Sequence, residues 1–206
     1  LPGFTLTAHV QCVVLLPNPR GSWGRGHGFQ SANVGDLGGG DWQDIQAGVD
    51  HMIAERIADP EHMAIGGWSY GGYLTAWAVT QTNRFRCAIA GASITNYESN
   101  YGVVLNREWQ TTMFGSNVYD DFELHRSRSP IAFAHRVKTP TLLVHGDRDI
   151  YAPVTQSIEF YTALRYYGVP AQLVVYPREP HGFQERAHQI DLYQRIGSWV
   201  DQYLFG

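Results

Sequence analysis

The 206-residue sequence has few lysines, few cysteines and no long apolar runs, and each shortage excludes a class of protein. Lys138 is the only lysine, the arginines are scattered, and the net charge is -4, so a nucleic-acid partner is not expected. No apolar run approaches the roughly 18 residues of a membrane span, and no signal peptide is visible. We therefore expect no membrane partner.

The two cysteines, Cys12 and Cys87, lie in apolar, strand-like runs without histidine or cysteine neighbours at zinc-ligand spacing. We expect free buried thiols, which favours a cytoplasmic location. The glycine-rich segment 21–40 contains no G-K-[ST] sequence, so a phosphate-binding loop is not supported. Neither a metal nor a nucleotide cofactor is expected.

Predicted strands and helices alternate along most of the chain. Apolar runs predict strands at 10–16, 63–66, 87–92, 141–144 and 172–176, with helices at 41–58, 73–79, 154–167 and 184–204. This alternation predicts an α/β fold, with a mostly parallel sheet and helices on both faces. Segment 93–130 breaks the alternation and is predicted to be an insertion of short helices and loops.

Residues 67–71 read Gly-Trp-Ser-Tyr-Gly, the G-x-S-x-G pattern of a nucleophile elbow. A predicted strand precedes the motif and a predicted helix follows it, as the elbow requires. We expect a strained backbone at Ser69, and glycine at 67 and 71 because a Cβ at either place would crowd a neighbouring element. Taken alone, the pattern fits equally well an ordinary serine in a glycine-rich turn.

Two further polar residues, Asp149 and His181, lie in the loops directly after predicted strands. Carboxyl ends of parallel strands meet at one edge of a sheet, and the order Ser…Asp…His is typical of α/β-hydrolases. A histidine can take the proton of an attacking serine, and an aspartate can orient that histidine. The backbone N–H of Tyr70 would stabilise the oxyanion that forms. Each residue alone could be an ordinary loop residue, but the three together indicate a Ser69–Asp149–His181 triad.

Two neighbours of the predicted acid need separate interpretations. Asp147 competes for the role of Asp149, but it directly follows a glycine and is predicted to shape the turn. His145 is predicted to lie at the strand end, beneath that loop.

Aromatic residues near the serine and in the insertion have two possible roles. They could line an apolar pocket for the residue before the scissile bond, or they could pack the insertion onto the core. The candidates for the pocket are Trp68, Tyr70, Tyr97, Tyr101 and Trp109.

Four segments together resemble the catalytic domain of the prolyl oligopeptidase family, in its acylaminoacyl-peptidase and dipeptidyl-peptidase-like branch. They are Leu-Pro-Asn-Pro-Arg-Gly-Ser at 16–22, Gly-Gly-Trp-Ser-Tyr-Gly-Gly-Tyr at 66–73, His-Gly-Asp-Arg-Asp at 145–149 and Pro-His-Gly-Phe at 180–183. The resemblance implies an α/β-hydrolase domain over 1–206 and a serine peptidase that cleaves short peptides or acylated aminoacyl substrates. It also implies a structural role for Arg20, which would pair with Asp41 or Asp44.

The sequence departs from this family in two respects. No β-propeller is present, and the first strands of the hydrolase domain, with the second oxyanion donor, would precede Leu1. The sheet would then have a gap between the strands at 10–16 and 63–66. We therefore expect the C-terminal part of a longer polypeptide, completed by an N-terminal segment or a β-propeller, and homo-oligomer formation stays open.

Two other functions stay open beside the peptidase. A carboxylesterase of the same fold would use the same three side chains, because the triad does not choose between ester and amide. A non-catalytic fragment is the other alternative, since half an oxyanion hole costs about 10²–10³ in rate.

Overall fold

The computed structural model describes residues 12–206. Its centre is a parallel sheet in the order β1-β2-β3-β4, formed by β1 (Ala64–Trp68), β2 (Cys87–Gly91), β3 (Thr141–Gly146) and β4 (Ala171–Tyr176). The helices are α1 (His27–Gln30), α2 (Gly40–Ala54), α3 (Tyr70–Gln81), α4 (Tyr97–Val103), α5 (Arg107–Phe114), α6 (Phe122–Ser127), α7 (Thr155–Tyr166) and α8 (Arg186–Val200). A 3₁₀ helix covers Pro130–Arg136, and a short π-helical segment, Asp201–Phe205, follows α8.

The core lies on both faces of this sheet, because successive strand residues point to opposite sides. Cys87 and Ile89 of β2 pack with α8 on one face. Ala88 and Ala90 of the same strand pack with α3 and α7 on the other. The predicted α/β architecture is therefore confirmed.

The first predicted strand, at 10–16, is wrong for its described part. Residues 12–19 form no strand, and the side chains of Val13 and Leu16 are each 64% exposed. An apolar run becomes a strand only where a neighbour supplies hydrogen bonds, and β1 pairs with β2 alone among the described residues. Residues 10 and 11 lie outside the described part.

Segment 93–130 contains the three short helices α4, α5 and α6. Asparagine or aspartate side chains cap α4, α5 and α6, with Asn96, Asn106 and Asp121 accepting from backbone N–H groups of the first turn. Polar caps explain how such short helices begin inside a polar sequence.

None of the helices in residues 12–206 combines the length and the hydropathy needed to cross a bilayer.

Both cysteines are free thiols, Cys87 buried and Cys12 half-buried. Burial raises the pKa of the Cys87 thiol to about 12.

Candidate active site

Ser69 lies in the turn between β1 and α3, with φ 59° and ψ -119°. A non-glycine residue in this left-handed region is strained and persists only where its surroundings hold it. Two backbone hydrogen bonds do so here: Ser69 N–H donates to Gly91 O at 2.9 Å, and Ser69 O accepts from Tyr73 N–H at 2.9 Å. The backbone therefore has the form of a nucleophile elbow.

The glycines that flank the elbow have different roles. A Cβ at Gly67 would overlap the backbone of Gly71, so β1 and α3 approach too closely for any other residue there. A Cβ at Gly71 would meet nothing within 4 Å. The prediction that a Cβ would crowd a neighbouring element is therefore confirmed at Gly67 and wrong at Gly71. The backbone of Gly71 is what the Cβ at Gly67 would overlap.

Asp149 and His181 lie in the loops after β3 and β4, and their side chains are hydrogen-bonded. His181 Nδ1 donates to Asp149 Oδ2 at 2.7 Å. The other carboxylate oxygen, Oδ1, accepts from the N–H groups of Tyr151 and Ala152, each at 2.9 Å. The carboxylate is thus fixed from both sides, and it leaves His181 Nε2 as the free ring nitrogen.

The Asp149 carboxylate stays ionised although its side chain is fully buried. Burial alone would raise its pKa. The ring N–H of His145, 3.4 Å from Oδ2, and hydrogen bonds from His181 and the Ala152 N–H together outweigh burial and hold the pKa of Asp149 well below its usual range.

Asp147 and His145, the two neighbours of Asp149 that the sequence singles out, lie where they are predicted to lie. Asp147 is exposed in the turn. His145 is fully buried, with Nε2 donating to Ala152 O at 2.6 Å and Nδ1 accepting from the Ser157 hydroxyl at 2.7 Å. His145 therefore stabilises the loop that carries Asp149 through its hydrogen bond to Ala152 O.

Ser69 and His181 line one cavity of about 290 Å³. The described hydrogen bonds include none between Ser69 Oγ and His181 Nε2. Catalytic hydrogen bonds are often long in unliganded enzymes and shorten when substrate binds, so this geometry is compatible with a nucleophile and its base.

Three of the predicted pocket residues, Tyr70, Tyr97 and Trp109, line this cavity. Trp68 and Tyr101 are not among its lining residues. Trp68 Nε1 donates instead to His181 O at 2.8 Å, so Trp68 supports the histidine loop. The Tyr101 hydroxyl lies 3.4 Å from Thr111 Oγ1.

Sequence reasoning did not single out six further lining residues: Tyr73, Ile94, Asn100, Val104, Asn106 and Tyr151. Asn100 and Val104 follow Tyr97 by three and seven residues, which is the spacing of one helix face. Tyr151 stands two residues after the predicted acid. These spacings could have identified three of the six.

Tyr70 is the first residue of α3, so its N–H has no acceptor within the helix and is available to an oxyanion. Its hydroxyl donates to the buried carboxylate of Asp41.

Arg20 forms a two-pronged ion pair with Asp44, at 2.9 and 2.6 Å, which decides between its two predicted partners.

The loop that carries His181 is held by Glu179, which is fully buried. One carboxylate oxygen accepts from Gln184 N–H at 2.6 Å, and the other accepts from Glu185 N–H at 2.9 Å and His188 Nδ1 at 2.8 Å. These hydrogen bonds outweigh the effect of burial and lower the pKa of Glu179. At the end of β3, a Cβ at Gly146 would overlap Glu179 O, so strand and loop are in direct backbone contact.

Glu179, Glu185 and His188 also place their ligand atoms within 4.8 Å of one another, a spacing that a metal ion could use. The atoms already have partners, however. Glu179 binds backbone N–H groups, and Glu185 forms an ion pair with Arg178 at 2.7 Å. The arrangement is that of a structural network.

Glu179→Gln is expected to lower the free energy of unfolding at pH 7 by about 2 kcal/mol, the usual contribution of hydrogen bonds to a buried charge. An amide must place its NH₂ group where one carboxylate oxygen accepts a backbone N–H, so two donors would face each other. Urea unfolding at pH 7 measures the difference.

The exposed Glu55→Gln serves as control, with an expected change below about 0.5 kcal/mol. Because the folded pKa of Glu179 is lowered, its stabilisation is present above the unfolded pKa and is lost as pH falls through the folded one. A Gln variant as stable as the wild type at pH 7 would contradict this role.

Comparisons with known proteins identify the family. The family model described as "Prolyl oligopeptidase family" matches residues 3–206. An uncharacterized peptidase of Bacillus subtilis, YuxL, is 36% identical over 98% of this chain and 31% of its own length. Human acylamino-acid-releasing enzyme is 30% identical, over 93% of this chain and 27% of its own.

Among solved structures, the acylaminoacyl peptidase of Pyrococcus horikoshii superposes with a TM-score of 0.86 at 32% identity, covering 91% of this chain and 32% of its own. The chain therefore spans about a third of the length of these relatives or less. The family match covers almost the whole sequence. The chain belongs to the prolyl oligopeptidase family of serine peptidases, and residues 12–206 have its α/β-hydrolase fold.

Proposed function

We propose that this protein cleaves short peptides or N-acylated aminoacyl substrates through an acyl-enzyme intermediate. One observation carries the proposal: His181 Nδ1 binds the buried Asp149 carboxylate at 2.7 Å while Ser69 and His181 line the same cavity. The carboxylate fixes the tautomer in which Nε2 can accept a proton. The names of two relatives, human acylamino-acid-releasing enzyme and the acylaminoacyl peptidase of Pyrococcus horikoshii, support the substrate class.

The proposed reaction has two halves. Ser69 Oγ attacks the substrate carbonyl carbon while His181 Nε2 takes the hydroxyl proton, and the Tyr70 N–H stabilises the negative oxygen. The intermediate collapses, the C–N bond breaks, and His181 gives its proton to the leaving amine. Water then attacks the acyl-enzyme with His181 again as base, and the released acid restores Ser69.

The cavity would receive the side chain of the residue before the scissile bond. Ser69 and His181, where the carbonyl would lie, are among its lining residues, and most of the others are aromatic or aliphatic. In this binding mode the acyl part of the substrate would lie inside the protein and the leaving amine towards solvent.

A fluorophosphonate probe combined with two chromogenic substrates tests the proposal. We expect one adduct per chain, mapped by mass spectrometry to the peptide that contains Ser69, and hydrolysis of an N-acetyl-aminoacyl p-nitroanilide. Turnover of p-nitrophenyl butyrate without the anilide would indicate a carboxylesterase. A folded chain that takes no probe would indicate a non-catalytic fragment.

A further inference from the structure

One short segment supplies much of the lining of the cavity beside Ser69. It consists of α4 and the residues next to it, and it contributes Ile94, Tyr97, Asn100 and Val104. A helix of 7 residues has little stability of its own, so its position depends on the contacts that hold it. The shape of the cavity therefore depends on what anchors α4.

The side-chain amide of Gln156 holds the start of α4. Its oxygen, Oε1, accepts from two successive backbone N–H groups, those of Thr95 at 3.1 Å and Asn96 at 2.9 Å. Its nitrogen, Nε2, donates to Ser99 Oγ in α4 at 2.9 Å. Gln156 is fully buried, so its amide is shielded from competing water and the two N–H groups depend on it.

Further hydrogen bonds join the start of α4 to α7, the helix that carries Gln156. The Thr95 hydroxyl donates to Gln156 O at 2.7 Å. Glu159, one turn further along α7, accepts from Asn96 Nδ2 and from Ser99 Oγ, each at 2.8 Å. Gln156 and Glu159 therefore anchor the first turn of α4 through a set of polar contacts.

The helix α7 is a firm support, because it is bound both to the core and to the loop of the acid. Phe160 of α7 is fully buried and packs against the sheet. The Ser157 hydroxyl donates to His145 Nδ1 at 2.7 Å, and His145 stabilises the loop that carries Asp149. Adjacent residues in the first turn of α7, Gln156 and Ser157, thus hold the cavity wall and the acid loop.

We infer that Gln156 is a positioning residue for substrate selection, which fixes α4 so that the cavity accepts a bulky apolar side chain before the scissile bond. Gln156 acts through α4, since it is not among the residues that line the cavity. Without Oε1, two backbone N–H groups would lose their acceptor, and α4 would shift to satisfy them elsewhere. The inference rests on the proposed function, because it concerns the acyl pocket of the same site.

The test compares two esters that differ in this side chain, N-acetyl-phenylalanine ethyl ester and N-acetyl-glycine ethyl ester. The glycine ester places no side chain in the cavity, so its hydrolysis reports on the reaction without the pocket. We expect kcat/KM of the wild type to be at least about tenfold higher for the phenylalanine ester, because its ring is buried on binding. Rates are expressed per site labelled by a fluorophosphonate, which corrects for differences in the folded fraction.

Gln156→Met keeps the approximate volume of the side chain and removes the acceptor. The preference for the phenylalanine ester should fall about tenfold through a higher KM, while kcat for the glycine ester stays within about twofold. A role in stability alone would leave the ratio of the two esters unchanged, because both substrates report on the same folded sites.

Thr95→Val and Thr139→Val form a matched pair, which keeps the inference testable if Gln156→Met does not fold. Each removes one buried hydroxyl that donates to a backbone carbonyl. Thr95 donates to Gln156 O, and Thr139 donates to Phe85 O at 3.2 Å, near the amino end of β3. Thr95→Val should lower the ester ratio about threefold, whereas Thr139→Val should keep it.

An unchanged ester ratio in folded Gln156→Met or Thr95→Val would overturn the inference. A ratio that falls as far in Thr139→Val as in Thr95→Val would also overturn it, and so would a wild type that hydrolyses both esters equally well. In these cases Ser69 is still labelled and the proposed function stands. Absence of both ester hydrolysis and the fluorophosphonate adduct would contradict the proposed function and the inference with it.

Discussion

Replacing Ser69 by alanine is expected to lower kcat by at least about 10⁴-fold without changing the thermal unfolding midpoint. In the proposed reaction the hydroxyl supplies the attacking atom, and no other described group occupies its place in the elbow. A backbone φ of 59° costs alanine about as much as it costs serine, so the fold should be unaffected. Steady-state kinetics and circular dichroism melting measure the two quantities.

Ser93→Ala is a suitable control, because Ser93 is a buried serine just after the neighbouring strand β2 and does not line the cavity. Its activity should stay within about twofold of the wild type. A Ser69→Ala variant that keeps more than a tenth of the activity would rule out Ser69 as the nucleophile.

Asp149→Asn is expected to lower kcat by about 10⁴-fold at neutral pH, through the tautomer of His181. The N–H groups of Tyr151 and Ala152 require an acceptor at Oδ1, so the amide oxygen will take that place. The amide NH₂ then faces His181 Nδ1, which must become an acceptor. The ring proton moves to Nε2, and the base can no longer receive the serine proton.

Asp147→Asn, in the same loop but exposed, is the control and should keep its activity. NMR of the histidine ring nitrogens would show the tautomer change directly in Asp149→Asn. A folded variant with Nε2 still unprotonated and kcat within tenfold of the wild type would contradict the assignment.

The stability contributed by Asp149 has a defined pH dependence. Its folded pKa is lower than the unfolded value of about 3.9, so the stabilisation is fully present above that pH and is lost as the pH falls through the folded pKa. Urea unfolding of the wild type and Asp149→Asn should therefore show this contribution in full at pH 5. The difference should narrow below about pH 4.

The sequence predicts those parts of the fold that local chemistry determines. Apolar runs at 87–92 and 141–144 become β2 and β3 because both faces of the sheet bury them. The run at 10–16 looks the same in sequence, but its described part has no neighbouring strand and stays exposed. Strand pairing depends on a partner that a single segment does not reveal.

The candidate site also has residues that the sequence predicts and residues that it does not. Ser69, Asp149 and His181 can be picked out because each lies in the turn or loop after a strand, and the roles of the three side chains remain predictions. Helical spacing after Tyr97 could point to Asn100 as a lining residue, but not to its hydrogen bond with Gln110, ten residues away on another helix. A lone asparagine in a polar insertion gives no sign of such an environment.

The contact between Gly146 and the backbone of Glu179 has a consequence for variation in related sequences. Side-chain substitutions around the loop between β4 and His181 can be accommodated by repacking. Two main chains in van der Waals contact cannot move apart or closer without losing that contact or clashing. Insertions or deletions between β4 and His181 should therefore be selected against more strongly than changes of residue type. Among homologues, the length of that loop should vary less than its composition.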